Sequence, residues 1–213
     1  MADALAPRNE DALLVVDMQN DFVRGGALAV PGGETILPLV NRLIGAFAQV
    51  ALTQDWHPRG HASFASSHPG ARPFDMFAMS YGQQVLWPDH CVQGSPGAAL
   101  VAGLAVESAF LLLRKGIHPA VDSYSAFVEA DGKTTTGLAA LLGARGVGRV
   151  FICGFATDFC VAYSALDSRA AGFETLVVED ACRAIDASGS LAAAWARMDA
   201  AAVRRIASSA LLP

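Results

Sequence analysis

Charge is scarce in this sequence. Charged side chains make up 16% of the 213 residues against 53% hydrophobic ones, which excludes an intrinsically disordered chain and predicts a densely packed globular one. Basic clusters are missing as well. With a net charge of −5 and no run of Lys or Arg, the chain lacks the electrostatic footprint of a nucleic-acid binder or a polybasic membrane module. No unbroken apolar stretch approaches the ~20 residues that a transmembrane helix needs. Residues 1–11, which carry Asp3, Glu10 and Asp11, do not read as a secretory signal. A cytoplasmic protein acting on a small molecule is expected, with no nucleic-acid or membrane partner. Cysteine is also sparse. Cys91, Cys153, Cys160 and Cys182 show neither a paired CxxC spacing nor the density of a disulfide scaffold, so reduced thiols are expected.

What is present is a set of short apolar runs at residues 12–17 (ALLVVD), 50–53, 110–113, 150–153 and 175–178, the kind of strand that a parallel sheet covered on both faces demands. Helical periodicity lies between most of them, at residues 34–49, 137–144, 158–170 and 190–200. This alternation predicts an α/β fold, a single domain over residues 1–213 with a doubly wound, mostly parallel sheet flanked by helices. Residues 56–96 are too rich in His, Pro, Gly and Ser to be one helix. A loop of that length needs a functional reason, and a metal-binding region over about residues 55–96 is expected. Residues 203–206 fit either an edge strand or the end of a helix.

Open α/β sheets bind ligands beyond the carboxyl ends of their strands. Polar residues stand there in four places: Asp17, Asp55 with His57, Lys115, and the segment GFATDFC ending in Cys160. A carboxylate, an ammonium and a thiol suffice for nucleophilic acyl transfer. Cys160 gains thiolate character from a nearby cation and a helix N-terminus, which Lys115 and the helix over 158–170 would supply. Asp17 would take the thiol proton and return it to a leaving amine. Backbone N–H groups around Ala156 and Cys160 would hold the oxyanion. Taken singly, Cys160 reads as a buried hydrophobe and Lys115 as a solvated charge. Their common placement at strand ends is what raises them.

Asp55 and His57 share one side of an extended segment and can converge on one cation, with His61 or His90 completing the set. Mixed carboxylate and imidazole ligation suits one divalent metal, Zn, Fe or Mn. His68 and His118 read as surface residues. Phe22, Trp87 and Tyr124 are candidates to wall a flat aromatic ligand, against ordinary core packing.

These segments resemble the nicotinamidases of the isochorismatase-like cysteine hydrolase superfamily. The resemblance rests on VVDMQNDFVRGGALAV (15–30), TQDWHPRGHASFAS (53–66), WPDHCVQGSPGA (87–98), KGIHPAVDSYSAF (115–127) and GFATDFCVAYSALD (154–167), and covers roughly residues 11–186. It implies a catalytic triad of Asp17, Lys115 and Cys160, metal ligands Asp55, His57 and His90, and His61 as a ligand in some members only. It also implies a cis peptide before Ala156, with Phe22 and Trp87 enclosing the substrate ring. The reaction implied is hydrolysis of nicotinamide to nicotinate and ammonia in NAD salvage, with pyrazinamide also accepted, by a monomer or a homo-oligomer. The alternative is a related cysteine amidohydrolase acting on another small amide. A metal-bound water as nucleophile, or a binding protein without turnover, are further alternatives.

Overall fold

The computed structural model describes residues 5–212. Six strands form one parallel sheet: β1 (Asp11–Val16), β2 (Gln49–Asp55), β5 (Leu111–Lys115), β6 (Arg149–Phe155), β7 (Glu174–Arg183) and β8 (Arg204–Ile206), in the order β5-β2-β1-β6-β7-β8. Every residue of β1 and β2 is buried, as expected of central strands covered on both faces. The helices are α1 (Leu37–Ala46), α2 (Leu138–Ala144), α3 (Ala162–Ala170) and α4 (Ser190–Ala200). From β1 the chain winds outward through β2 to β5. It then returns to the other side of β1 and winds through β6, β7 and β8. This reversal between β1 and β6 is the switch point of a doubly wound sheet. Right-handed crossovers of opposite travel put α1 and α3 on opposite faces.

Most boundaries move for local reasons. The helix expected over 34–49 is shorter. Gly33–Ile36 forms a 3-10 turn, and α1 begins with Pro38 in its first turn, where a missing N–H costs nothing. Strand β5 runs two residues further than expected and carries Lys115 inside the sheet, paired in register with Asp55. Strand β1 stops at Val16, because Asp17 turns out of the ladder at φ 51°. The helix over 158–170 opens as a π-helical turn at Thr157–Val161 before α3. Residues 204–206 form an edge strand beside β7. The region 56–96 contains an antiparallel hairpin, β3 (Met76–Met79) with β4 (Gly82–Val85), whose first strand is largely exposed.

Candidate active site

The strand order brings the chemistry together. Lys115 closes β5, Asp55 closes β2, Asp17 follows β1, and Ala156–Cys160 follows β6, on four neighbouring strands whose carboxyl ends face the same side. Lys115 is buried and its Nζ is the hub. It lies within reach of Asp55 Oδ1 (2.8 Å), the Ser123 carbonyl oxygen (2.9 Å) and Cys160 Sγ (3.5 Å). Asp17 Oδ2 lies 2.8 Å from the same nitrogen as a buried ion pair. Asp17 Oδ1 accepts the Thr53 hydroxyl at 2.6 Å, and the Asp17 N–H donates back to that hydroxyl at 3.0 Å.

Burial sets the protonation of this group. It pushes the Cys160 thiol well up, and Lys115 only partly opposes it, so the resting sulfur is a thiol. The thiolate character expected from the cation and the helix start is therefore outweighed by desolvation, and attack by Cys160 requires a base. Burial also raises Asp17 above the usual carboxylate range, against the pull of Lys115. For Asp55 the sign reverses: burial would raise it, but the charges of His57 and Lys115 hold it well below that range. Lys115 is disfavoured by burial yet held well above its ordinary value by Asp17 and Asp55.

A second cluster adjoins the first through Asp55. His57 Nε2 faces Asp55 Oδ2 at 3.1 Å, and His90 Nε2 faces the same oxygen at 3.5 Å. His57 Nδ1 sits 3.0 Å from the Gly116 carbonyl oxygen and His90 Nδ1 2.9 Å from that of Pro88. A carbonyl only accepts, so both Nδ1 atoms carry protons and both Nε2 atoms face the same carboxylate oxygen. Three ligand atoms within 4.8 Å of one another, all from buried residues and one from the carboxylate that pairs with Lys115, fit a divalent cation. Gly116 makes the close approach possible: it lies at φ 65°, and a Cβ there would collide with the His57 ring.

His61 is turned away from this group. Its Nε2 donates toward the carbonyl oxygens of His118 (2.9 Å) and Val121 (3.3 Å), and its Nδ1 faces Ser63 Oγ at 2.7 Å. It falls instead into a separate grouping with His57 and Asp122. His118 is exposed, whereas His68 is half-buried, bonded to the Ala62 carbonyl oxygen and tilted against Phe77.

Beside Cys160 lies a narrow cleft. Phe22, Trp87, Tyr124 and Phe159 form its aromatic walls, and Asp55, His90 and Ala156 line it with the thiol. Phe159 stands edge-on to Trp87 at 4.8 Å, whereas Phe155 is fully buried under Gly33 and takes no part. Gln84, from β4, holds two walls: its Nε2 donates to Tyr124 Oη and to Asp122 Oδ2, each at 2.7 Å, while Trp87 Nε1 donates to the same Tyr124 oxygen at 3.0 Å.

No peptide bond among the described residues is cis, so the bond before Ala156 departs from what the resemblance implied. A trans bond avoids the ~3–4 kcal/mol of a non-proline cis form. The Ala156 carbonyl is engaged by the N–H groups of Phe159 and Val161 as the π-helical turn starts. Cys160 still sits in the first turn of a helical segment, where N–H groups lack intrahelical partners.

Sequence reasoning passed over Thr53, Gln84 and Asp122. Thr53 had a usable signal, since it sits two residues before Asp55 on one strand and therefore on the same face. Gln84 and Asp122 had none, because Gln84 lies on a short hairpin inside the region that reads as loop and Asp122 lies in irregular chain.

Residues 11–209 match the isochorismatase domain family. The chain is 52% identical over 204 residues to an Acinetobacter baylyi protein named nicotinamidase, covering 96% of this chain and 95% of that one. Its structure superposes on an Acinetobacter baumanii nicotinamidase and pyrazinamidase with a TM-score of 0.94 at 52% identity, covering 95% and 98% of the two chains. A Pyrococcus horikoshii pyrazinamidase solved in complex with zinc gives a TM-score of 0.74 at 37% identity, covering 93% and 99%.

Proposed function

Since the chain belongs to the isochorismatase domain family, we propose that it is a nicotinamidase, hydrolysing nicotinamide to nicotinate and ammonia, and that it also accepts pyrazinamide. The observation that carries this reading is the contact of Lys115 Nζ with Asp17, Asp55 and Cys160 at the floor of an aromatic-walled cleft.

Asp17 takes the thiol proton as Cys160 Sγ attacks the carboxamide carbon, and the carbonyl π electrons move onto oxygen. N–H groups at Ala156 and Cys160 stabilise that oxygen as charge develops. Collapse of the tetrahedral adduct expels the amide nitrogen, which takes the proton from Asp17 and leaves as ammonia. A thioester on Cys160 remains. Asp17 then draws a proton from water, hydroxide adds to the thioester, and nicotinate departs as the sulfur recovers its proton. Lys115 stays charged throughout and balances the carboxylates and the developing thiolate. Phe22, Trp87 and Tyr124 hold the ring flat.

Asp55, His57 and His90 would hold one divalent cation, zinc first among the candidates by their donor set and by the relative solved with zinc. When bound, it supplies a Lewis-acid anchor for the pyridine nitrogen. The activity belongs to NAD salvage and to the cytoplasm, and no helix among the described residues is long and apolar enough to cross a membrane.

The test is ammonia release from nicotinamide by purified protein, metal-replete and metal-stripped, with Cys160→Ala alongside. Release that needs both metal and thiol supports the reading. No release from the metal-replete protein moves the search to other amides.

A further inference from the structure

Building on the nicotinamidase reading, we infer that Thr53 is a positioning residue that makes Asp17 Oδ2 the oxygen receiving the Cys160 proton. A carboxylate has two equivalent oxygens, and either can act as base unless its surroundings distinguish them. Thr53 does so. Its hydroxyl accepts the Asp17 N–H at 3.0 Å and must therefore direct its own proton elsewhere, and it reaches Asp17 Oδ1 at 2.6 Å. The closed loop of N–H, hydroxyl and carboxylate pins the plane of a side chain whose backbone is already in the left-handed region at φ 51°.

The other oxygen is turned toward the ammonium and the thiol. Asp17 Oδ2 lies 2.8 Å from Lys115 Nζ, and the same ammonium reaches Cys160 Sγ at 3.5 Å, so Oδ2 is the carboxylate oxygen on the thiol side. In the step itself the S–H bond breaks, an Oδ2–H bond forms, and the sulfur electron pair goes to the carboxamide carbon. The ionisable groups facing Asp17 are Lys115 from β5, Asp55 from β2 and Cys160 from the turn after β6. Substitution at Thr53 leaves all three in place.

The experiment compares unmodified enzyme, Thr53→Val and Thr53→Ser, each with metal content and thermal midpoint checked, in kcat and KM for nicotinamide across pH. Valine keeps the shape and removes the hydroxyl; serine keeps the hydroxyl. Thr53→Val should lose roughly 10- to 100-fold in kcat, with KM within about twofold, because a misaligned base costs rate and not binding. Its acid limb should move to higher pH, since Asp17 loses a bond that favours its ionised form. Thr53→Ser should recover most of the rate and return the limb. Wild-type kcat with an unmoved limb in Thr53→Val overturns the inference, and so does a serine variant as slow as the valine one. If the valine variant does not fold, Thr53→Ala is judged by the same criteria. No turnover by the unmodified enzyme removes the nicotinamidase reading, and this inference with it, before any substitution is compared.

Discussion

Asp55 and Lys115 are register partners across β2 and β5, and Lys115 Nζ lies 2.8 Å from Asp55 Oδ1. One carboxylate thus faces the thiol centre with one oxygen and the imidazole pair with the other. The two halves of the site are joined by a single backbone pairing. Asp55→Asn should therefore damage both, lowering divalent-metal affinity and also slowing residual turnover at saturating metal. Metal titration beside steady-state kinetics checks this, and a purely metal-binding defect, fully rescued by excess cation, would count against the coupling.

Cys160→Ala should abolish turnover, by about 10⁴-fold or more for the loss of a nucleophile, while fold and metal content persist. Iodoacetamide should inactivate the unmodified enzyme and nicotinate should slow that inactivation. Retained activity in the variant would mean that the sulfur is structural.

The pH profile should be displaced on its acid side. Burial raises Asp17 above the usual carboxylate range, so the group keeps its proton to a higher pH than an exposed Asp does. A protonated Asp17 cannot accept a proton from Cys160, and kcat/KM should fall as pH drops through that raised value. Lys115, held well above its ordinary value by Asp17 and Asp55 in spite of burial, should stay charged through the neutral and mildly alkaline range. An acid limb at the position of an ordinary aspartate would show that burial does not raise Asp17 in the working enzyme.

Gly116→Ala should weaken metal binding. The position combines φ 65° with a contact against the His57 ring and supplies the carbonyl that fixes His57 Nδ1. Losing such support around a ligand typically costs about 10- to 100-fold in affinity. Competition with a chelator measures it, and unchanged affinity would show that His57 is oriented by other contacts.

Gln84→Met should raise KM for nicotinamide more than it lowers kcat, because Gln84 holds the cleft walls and touches no reacting atom. Removing a buried donor to Tyr124 and Asp122 should also lower stability by about 1–3 kcal/mol. Paired kinetics and denaturant unfolding separate the two effects.

The elements that a sequence pattern can specify were legible. Fully apolar runs such as ALLVV and VFIC have one good solution in a two-sided sheet, and polar residues directly after them fall at its ligand-binding edge. This is why Asp17, Asp55, Lys115 and Cys160 could be named as candidates before any contact was known. Protonation was not legible in the same way. A lysine beside a thiol suggests a thiolate, yet burial of Cys160 outweighs the attraction of Lys115.

Contacts between residues far apart in sequence were decided only by the folded chain. Thr53 reaches Asp17 across 36 positions, and Gln84 reaches Asp122 across 38 and Tyr124 across 40. The orientation of His61, bonded to carbonyls near residues 118 and 121 and not facing Asp55, is of the same kind. Local pattern constrains which face a residue occupies, because strand and helix repeat on fixed periods. It does not constrain which remote donor meets which acceptor, since that depends on strand order, on register and on how irregular chain closes over the sheet.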